Sequence, residues 1–586
     1  MNFKELLGTK RFQKIVLTSL FIVFLLGIGS LILFYVYKTP FIGHGDGANT
    51  AIVARNLAEG KGYTVDHVLY FITYYPGISH PEDLWPIGLP TLISIFFKIF
   101  GVSTFIAKLP NVLLFLIFIA TIFWILQRRY NPFIAFFTTI FILVNINLFR
   151  VVREPYNDIG FLIFLNLSFV FMALWSLEQN KKYLIWAGVF VGLTILFKQT
   201  GVLLLPFLVF IIILRMMKKN EENLSKSIFK KTLLFLLIAL LVASPWLIRN
   251  TLLFGDPIYS QVRIITPISE VPGTLQDEYF RVLFNETDVK SLNEATIYEK
   301  IKFNLKAWNN FSRLLRSDEI VPGVLLFLFL FALVVLPFNE FEKSLVKVNI
   351  LFILMYILFI IYYVHVEARY FLFVIPFISF ISAKLLDFIY RQIIKLELKV
   401  LYAIILCFLL FYVTTPILFS VYYYSKQLSE DPVFQQLKIV EENTPPNAVI
   451  MTRLAPAITW HTNRKTVMVP FGEISDFYTI INMYNVTHVL ITDPLWYYAT
   501  HLNVRPWVYD IDNFVGNMAN QSLVNETICT SKIIGNGCLY SIDSNIVNKE
   551  SELKLLEKEG YDCLEQLQQI FKQKNINSEE EIICYS

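Results

Sequence analysis

Residues 131–175 read NPFIAFFTTIFILVNINLFRVVREPYNDIGFLIFLNLSFVFMALW. Two apolar runs flank the polar stretch RVVREPYND, and each is close to the roughly 20 residues that a helix needs to cross a bilayer core. The polar stretch carries Arg150, Arg153, Glu154 and Asp158. This pattern predicts two consecutive transmembrane helices with a charged turn at one membrane surface.

Similar apolar runs recur along the first three quarters of the chain and predict a polytopic α-helical membrane protein with about eleven spans. The predicted spans are Ile15–Tyr37, Lys108–Gln127, Pro132–Phe149, Ile159–Leu177, Leu184–Phe197, Val202–Met216, Thr232–Ile248, Val321–Leu336, Val348–Val364, Phe371–Ile389 and Val400–Tyr424.

Composition supports this class. The chain has 586 residues, of which 55% are hydrophobic and only 16% charged, and its mean hydropathy is +0.56. A soluble domain usually carries about 25% charged residues. These values exclude a disordered chain and a small disulfide scaffold, and the net charge of +4 predicts no nucleic-acid partner.

Basic residues predict the orientation. The apolar segment Trp85–Phe100 contains two prolines and could either cross the membrane or lie on its surface as an interfacial helix. With this segment lying flat, four basic turns fall on the side of the basic N-terminus, as the positive-inside rule requires: Arg128–Arg129, Lys181–Lys182, Arg215–Lys231 and Arg391–Lys399. We therefore expect a multi-pass cell-membrane protein with a cytoplasmic N-terminus and an extracytoplasmic C-terminal domain.

Two domains are expected. Residues 1–425 form the membrane domain, with a first outer loop at 38–84, the interfacial helix at 85–100 and a second outer loop at 251–320. Residues 426–586 alternate short strand-like and helical segments and predict a soluble α/β domain. This domain holds Cys529, Cys538, Cys563 and Cys584, which allow three disulfide connectivities, with Cys529–Cys538 and Cys563–Cys584 the simplest. Four free thiols are the alternative.

Charged residues at the ends of the predicted spans suggest a site. A charge at membrane depth costs about 2.5–3.5 kcal/mol, so such residues usually have a partner or a function. Any one of them could be an interfacial anchor or a helix-end ion pair, but together they predict a polar, cation-rich cavity at the outer face. They are Asp46, Arg150, Arg153, Glu154, Asp158, Lys198, Arg249, Asn250, His365, Glu367, Arg369 and Tyr370.

Such a cavity suits a lipid-linked phosphate. Lysine and arginine bind phosphate, and surrounding apolar helices could accept a long lipid tail. Asp46 could take a proton from an acceptor hydroxyl. Nucleotide sugars are absent outside the membrane and the inner loops are short, so a sugar donor used there would be lipid-linked.

Several motifs resemble the polytopic GT-C glycosyltransferases, within the group of protein O-mannosyltransferases, aminoarabinose transferases and RgtA/B/C/D-like enzymes. They are Asp46 followed by ARNLAEGKGY, the Arg153 and Asp158 pair, FKQTGVLLLP (Phe197–Pro206), SPWLIRNTLLFGDP (Ser244–Pro257) and EARYFLFVIP (Glu367–Pro376). The resemblance covers roughly the first 420 residues and continues weakly into the tail.

The resemblance implies inverting transfer of a sugar from a polyprenyl-phosphate donor to a glycan, lipid or protein acceptor. Asp46 matches the catalytic base, although Gly47 follows it where relatives often have Glu. Asp158 is the second catalytic candidate, with Glu82 and Asp83 as alternatives for a second carboxylate. A divalent cation between Asp46 and such a carboxylate is chemically reasonable, but the spacing contains no metal signature.

The expected substrate-binding residues are Arg153, Glu154, Glu82, Lys198, Arg249, Asn250, Glu367, Arg369 and Tyr370, with the phosphate on Lys198, Arg249 and Arg369. The main alternative is a transporter or flippase, which the lack of an internal repeat and the folded tail disfavour. An oligosaccharyltransferase catalytic subunit shares the architecture, but no WWDYG-type motif occurs in the tail. A non-catalytic scaffold leaves the clustered charges unexplained.

Overall fold

The computed structural model describes residues 10–43, 45–69, 71, 75–217, 223–260, 312, 320–362, 367–395, 399–427, 432–452, 454–469, 474–492, 524–529 and 537–542. Its helices are α1 (Lys10–Lys38), α2 (Gly45–Ala58), α3 (Gly88–Phe100), α4 (Thr104–Arg129), α5 (Pro132–Leu143), α6 (Ile146–Val152), α7 (Asp158–Glu178), α8 (Lys181–Phe197), α9 (Leu204–Met217), α10 (Leu224–Phe254), α11 (Gly323–Val335), α12 (Glu340–Tyr362), α13 (Ile375–Lys395), α14 (Lys399–Gln427), α15 (Pro432–Asn443), α16 (Ala455–Thr462) and α17 (Ile474–Tyr484). Its strands are β1 (Thr64–Val65), β2 (His67–Val68), β3 (His80–Pro81), β4 (Val449–Thr452), β5 (Lys465–Val467), β6 (His488–Thr492), β7 (Val524–Cys529) and β8 (Gly537–Ile542).

The protein is a multi-pass membrane protein. Among the described residues, six helical segments are long and apolar enough to cross a bilayer, and a bent pair raises this number to seven. Helical segments overlap all eleven predicted spans, but one span is divided between two helices and several others are shorter or less apolar than a crossing requires. A count of eleven crossings therefore stays a prediction. The six segments are Gln13–Lys38, Thr104–Arg129, Asp158–Glu178, Gln199–Met217, Leu224–Phe254 and Ala368–Ile393.

The run predicted as one span over Pro132–Phe149 is two helices. Helix α5 ends at Leu143, and α6 leaves it at an angle of 62°. Asn145 causes the break, because its side chain accepts hydrogen bonds from the backbone N–H groups of Asn147 and Leu148 at 3.1 and 3.0 Å. An asparagine in this role starts a new helix instead of continuing the old one. The bend carries the chain into the polar turn that precedes Asp158.

Close packing around Phe197 aligns two helix ends. A Cβ atom on Gly160 of α7 would lie 2.0 Å from the Phe197 ring, and one on Gly88 of α3 would lie 2.7 Å from it. Both positions must therefore be glycine for the ring to fit. Phe197 is the last residue of α8, so this packing fixes the end of α8 beside the beginning of α7.

The described residues fall into two compact units. The first, called the helical unit, draws on Met1–Pro40, Trp85–Tyr259 and Asn304–Lys426. The second, called the sheet unit, draws on Phe41–Leu84, Ser260–Phe303 and Gln427–Ser586.

The sheet unit contains a six-stranded sheet with the order β2-β5-β4-β6-β8-β7. Strands β2, β5, β4 and β6 run parallel, and β8 and β7 add antiparallel strands. Helices α15 and α16 pack with strands β4, β6 and β8 in a small apolar core. Among the described residues, helices and strands alternate from Pro432 to Thr492, and a C-terminal domain over residues 426–586 stays a prediction.

One strand of this sheet comes from the first loop. Strand β2 pairs in parallel with β5, with His67 opposite Thr466 and Val68 opposite Val467. The backbone N–H of Met468 extends the pairing by donating to the carbonyl of Val68 at 2.9 Å. The sequence-based boundary grouped 38–84 with the membrane domain, whereas Phe41–Leu84 folds with the C-terminal strands.

Candidate functional site

The principal polar cluster of the helical unit forms where three helices begin, end or are interrupted. Asp158 lies in the first turn of α7. Lys198 follows α8 in an extended conformation, before a short 3-10 segment at Gln199–Leu203. Glu367 is likewise extended and precedes a 3-10 segment at Ala368–Val374. Chain ends and breaks leave backbone and side-chain groups pointing away from the helix axis, so polar side chains can converge there.

The cluster contains two cations and two carboxylates. The Lys198 ammonium forms an ion pair with Asp158 Oδ1, and Arg369 Nη1 lies 3.9 Å from Asp158 Oδ2. Arg369 Nε also pairs with Glu367 Oε2, and its Nη2 donates to Glu367 Oε1 at 3.4 Å. Asp158 therefore lies between both cations, while Glu367 contacts only the guanidinium among the contacts described.

Exposure falls steeply across this cluster. The Glu367 side chain is 34% exposed and Arg369 20%, whereas Lys198 and Asp158 are 11% and 6% exposed. Water therefore screens the inner pair less than the outer pair, and the electrostatic interaction between the inner charges is stronger. Of the two cations, Arg369 is the more exposed.

Aromatic rings line the two cations. Lys198 Nζ lies 4.4 Å from the centre of the Tyr370 ring and 5.7 Å from that of Phe161. The Arg369 guanidinium lies 5.0 Å from the Tyr156 ring. Such contacts stabilise a cation and hold its long side chain in place. The sequence-predicted residues Asp158, Lys198, Glu367, Arg369 and Tyr370 thus come together; Tyr156 and Phe161 were not predicted.

A second polar group supports the turn before Asp158. Lys108 of α4 is fully buried, with Nζ 3.6 Å from Glu154 Oε2 and 3.4 Å from the Thr39 carbonyl. Three residues further along α4, Asn111 donates to the carbonyls of Glu154 and Tyr156 at 2.7 and 2.9 Å. These contacts fix the backbone of the turn that carries Tyr156 and leads into Asp158.

Sequence reasoning missed Lys108 and Asn111 as supporting residues. The Glu154 side chain lies beside Lys108, and its backbone carbonyl accepts from Asn111. Its assignment as a substrate-binding residue stays a prediction. The sequence feature that could have identified Lys108 and Asn111 is their spacing of three residues, which puts the lysine and the asparagine on one face of an apolar helix. Such a pair in a membrane span usually faces other polar groups inside the protein.

The remaining predicted cations have other neighbours. The Arg153 guanidinium lies 4.2 Å from the Tyr35 ring and 5.3 Å from the Phe149 ring. Arg249 donates to the Asn250 side chain at 2.9 Å, and Asn250 in turn donates to the Tyr259 carbonyl at 3.1 Å. Asn250 therefore connects the end of α10 to the residues that follow it. His365, another predicted member, lies outside the described residues.

In the sheet unit, α2 connects Asp46 with Glu82. Asp46 lies in the first turn of α2, and its carbonyl accepts a hydrogen bond from Thr50 Oγ1 at 2.8 Å. Asn49, three residues on and therefore on the same helix face, donates to both carboxylate oxygens of Glu82 at 3.2 Å. Glu82 also accepts from the Leu84 backbone N–H at 3.0 Å. Of the alternative carboxylates, Glu82 is thus the one bound by Asn49, which lies one helical turn after Asp46.

Two histidines next to this region are held neutral. Burial is the main cause that lowers the pKa of His67 to about 3, and the charge that nearby His80 would carry acts in the same direction. Burial also lowers the pKa of His80, whose ring stacks on Tyr75 with centroids 3.8 Å apart. The Tyr75 hydroxyl donates to Asp83, so this second alternative carboxylate contacts the tyrosine. The whole group is nearly shielded from water.

The described residues contain no cluster of metal-ligand side chains. Across the residues described above, no group of three or more His, Cys, Asp or Glu side chains could hold a metal ion. Glu82 is engaged by an amide and a backbone N–H, which are not metal ligands in that orientation. The divalent cation beside Asp46 stays a prediction.

Comparison with known proteins identifies the fold. Residues 83–248 match the family described as dolichyl-phosphate-mannose-protein mannosyltransferase. Among solved structures, ArnT from Cupriavidus metallidurans bound to undecaprenyl phosphate is similar with a TM-score of 0.53 and 11% identity, over 90% of this chain and 98% of ArnT. The chain has the GT-C fold. The match confirms the predicted resemblance to the polytopic GT-C glycosyltransferases.

A second solved protein shares this fold. The archaeal oligosaccharyltransferase AglB from Archaeoglobus fulgidus, in complex with an inhibitory peptide and a dolichol-phosphate, is similar with a TM-score of 0.52 and 11% identity. The match covers 90% of this chain and 74% of AglB. No curated protein sequence matches the chain. The two TM-scores are nearly equal, so the fold alone does not distinguish between the two kinds of enzyme.

Proposed function

We propose that this protein is a membrane glycosyltransferase that moves a sugar from a polyprenyl-phosphate donor to an acceptor hydroxyl or amide on the extracytoplasmic face. The observation that carries the proposal is the Lys198 and Arg369 pair, two weakly exposed cations lined by aromatic rings in a protein with the GT-C fold. Support for a lipid-phosphate donor comes from the matched family, whose name contains dolichyl-phosphate-mannose. It also comes from ArnT bound to undecaprenyl phosphate and AglB in complex with a dolichol-phosphate.

The charge pattern suits a phosphate. Arginine presents several N–H donors in a planar fork, and a lysine ammonium has three. The ion pair with Asp158 occupies one donor of Lys198. In this proposal Asp158 holds both cations in place, and the departing phosphate interacts with their remaining donors. Asp158 would then be a positioning residue, and the sequence-based assignment as a catalytic residue would not be needed.

The proposed reaction is a single displacement. The acceptor oxygen or nitrogen attacks the anomeric carbon while its proton passes to the Asp46 carboxylate. The bond from the anomeric carbon to the phosphate oxygen breaks, and its electron pair stays on the polyprenyl phosphate. The sugar configuration is inverted. Cations at the phosphate stabilise the charge that develops on the leaving group.

The test compares Asp46→Asn with Glu59→Gln, a matched control because Glu59 is exposed just beyond the same helix and pairs with Lys61. Both variants are incubated with purified polyprenyl-phosphate sugars and membrane acceptors. We expect Asp46→Asn to fold and bind polyprenyl phosphate but to form no glycosylated product, while Glu59→Gln retains activity. Turnover by Asp46→Asn would overturn the assignment of the base. Vesicle uptake without any glycosylated product in the wild type would instead indicate a transporter.

A further inference from the structure

Helix α2, whose first turn holds Asp46, packs against α16 of the C-terminal region. Near the end of α2, Arg55 donates to the Trp460 carbonyl at 3.3 Å and to the Asn463 side chain, and its guanidinium lies 5.4 Å from the Trp460 ring. Asn463 terminates α16 in a left-handed conformation with φ of 57°, so one residue both caps α16 and binds Arg55. These contacts fix the far end of α2.

The near end of α2 is held by His461. The backbone N–H of Ile42 donates to His461 Nε2 at 3.3 Å, and the neighbouring Phe41 ring stacks on the imidazole with centroids 5.6 Å apart at 9°. Nε2 can accept this bond only when it carries no proton. Ile42 is four residues before Asp46 in the chain.

Three residues separate Ile42 from Asp46. Gly43 and Gly45 both have positive φ, 101° and 40°, in the backbone region that glycine enters without steric cost. Because this link between the two residues is short, a shift of Ile42 would also shift the first turn of α2.

We propose that His461, acting as an acceptor for the Ile42 N–H and as a platform for Phe41, is a positioning residue that sets the location of Asp46. The C-terminal region then contributes to the chemistry by fixing the residue that takes the acceptor proton. This inference rests on the proposed function, because it assumes that Asp46 is the base.

The experiment uses the full-length protein with two substitutions at His461. His461→Phe keeps an aromatic ring for Phe41 but removes the acceptor, whereas His461→Gln restores an acceptor near the position of Nε2. We expect His461→Phe to lower kcat about ten-fold or more, since small displacements of a catalytic group have effects of this size, with KM for the lipid donor unchanged. His461→Gln is expected to recover most of kcat. Lys465→Gln, an exposed position three residues beyond α16, serves as the control with unchanged kinetics.

Amide hydrogen exchange gives a readout that needs no turnover. We expect His461→Phe to accelerate exchange in residues 41–50 while residues of β4 and β5 remain protected, and His461→Gln to restore the wild-type pattern. Wild-type kcat and exchange in His461→Phe would overturn the inference. Equal losses in the Phe and Gln variants would also overturn it, because a general structural role predicts no rescue. An inactive wild type would refute the proposed function while leaving the exchange result interpretable.

Discussion

Removing one charge at a time from the Asp158 and Lys198 pair should have unequal effects on stability. Asp158→Asn leaves Lys198, only 11% exposed, without its carboxylate, and also takes the nearby anion from Arg369. Lys198→Met preserves most of the side-chain volume, and Asp158 keeps Arg369 at 3.9 Å. The first substitution leaves two cations without their shared carboxylate, whereas the second leaves a carboxylate that still has a partner.

The magnitudes follow from this difference. Removing one member of a buried ion pair costs about 3–5 kcal/mol of unfolding free energy, and we expect Asp158→Asn to fall in that range. Asp158 also lies in the first turn of α7, where a negative charge is favourable by about 0.3–1 kcal/mol. Lys198→Met should cost about 1–3 kcal/mol. The double variant should cost less than the sum of the single variants, with a coupling of about 1–3 kcal/mol.

The assay is a double-mutant cycle measured by reversible unfolding in bicelles, with tryptophan fluorescence as the probe. The control cycle uses Glu340→Gln and Lys343→Met, a pair whose side chains are 77% and 60% exposed and for which we expect no resolvable coupling. Lys198→Met destabilising as strongly as Asp158→Asn, or strictly additive losses, would refute the idea that Asp158 is the shared partner of both cations.

Two further outcomes are expected in the sheet unit. His67 has a folded-state pKa of about 3 against about 6.5 when unfolded, so its neutral form stabilises the fold fully above pH 6.5 and progressively less below it. Between these values each pH unit should remove about 1.4 kcal/mol, and His67→Gln should flatten this part of an acid titration. Cys529 and Cys538 are opposite each other in the register of β7 and β8. Directly opposed residues of antiparallel strands have Cα atoms about 4.5–5.5 Å apart, within the range of a disulfide. Peptide mapping without reductant should recover that cross-link; alkylation of both thiols before reduction would exclude it.

The polar cluster was predictable because its members interrupt apolar runs. Asp158, Lys198 and Arg369 each lie at a helix end where a charge in a hydrophobic sequence is conspicuous. The sequence could not show that Asp158 contacts both cations, because this pairing depends on the positions of three helix ends relative to one another in the fold. The burial of Lys108 could not be predicted for another reason. In the sequence this lysine stands at the polar boundary of a predicted span, whereas in the structure it is fully buried.

Long-range pairing limited the prediction of the fold. Strand β2 contains two residues, too few for an alternation pattern to identify, and its partner β5 is about 400 residues further along the chain. The bend between α5 and α6 depends on the side chain of Asn145, which hydropathy averaging treats as a minor interruption. Both features were therefore found only in the structure.

The pairing of β2 with β5 has a consequence for biosynthesis. At the usual rate of about 5–20 residues per second, the ribosome needs roughly 20–80 seconds after releasing Val68 before it delivers the strand that pairs with it. During this interval the early loop has no sheet to join, although the intervening helices are already entering the membrane. Premature termination before β5 would leave that loop without its partner strand, so incomplete chains should be recognisable to quality-control proteases that attack unpaired strand edges.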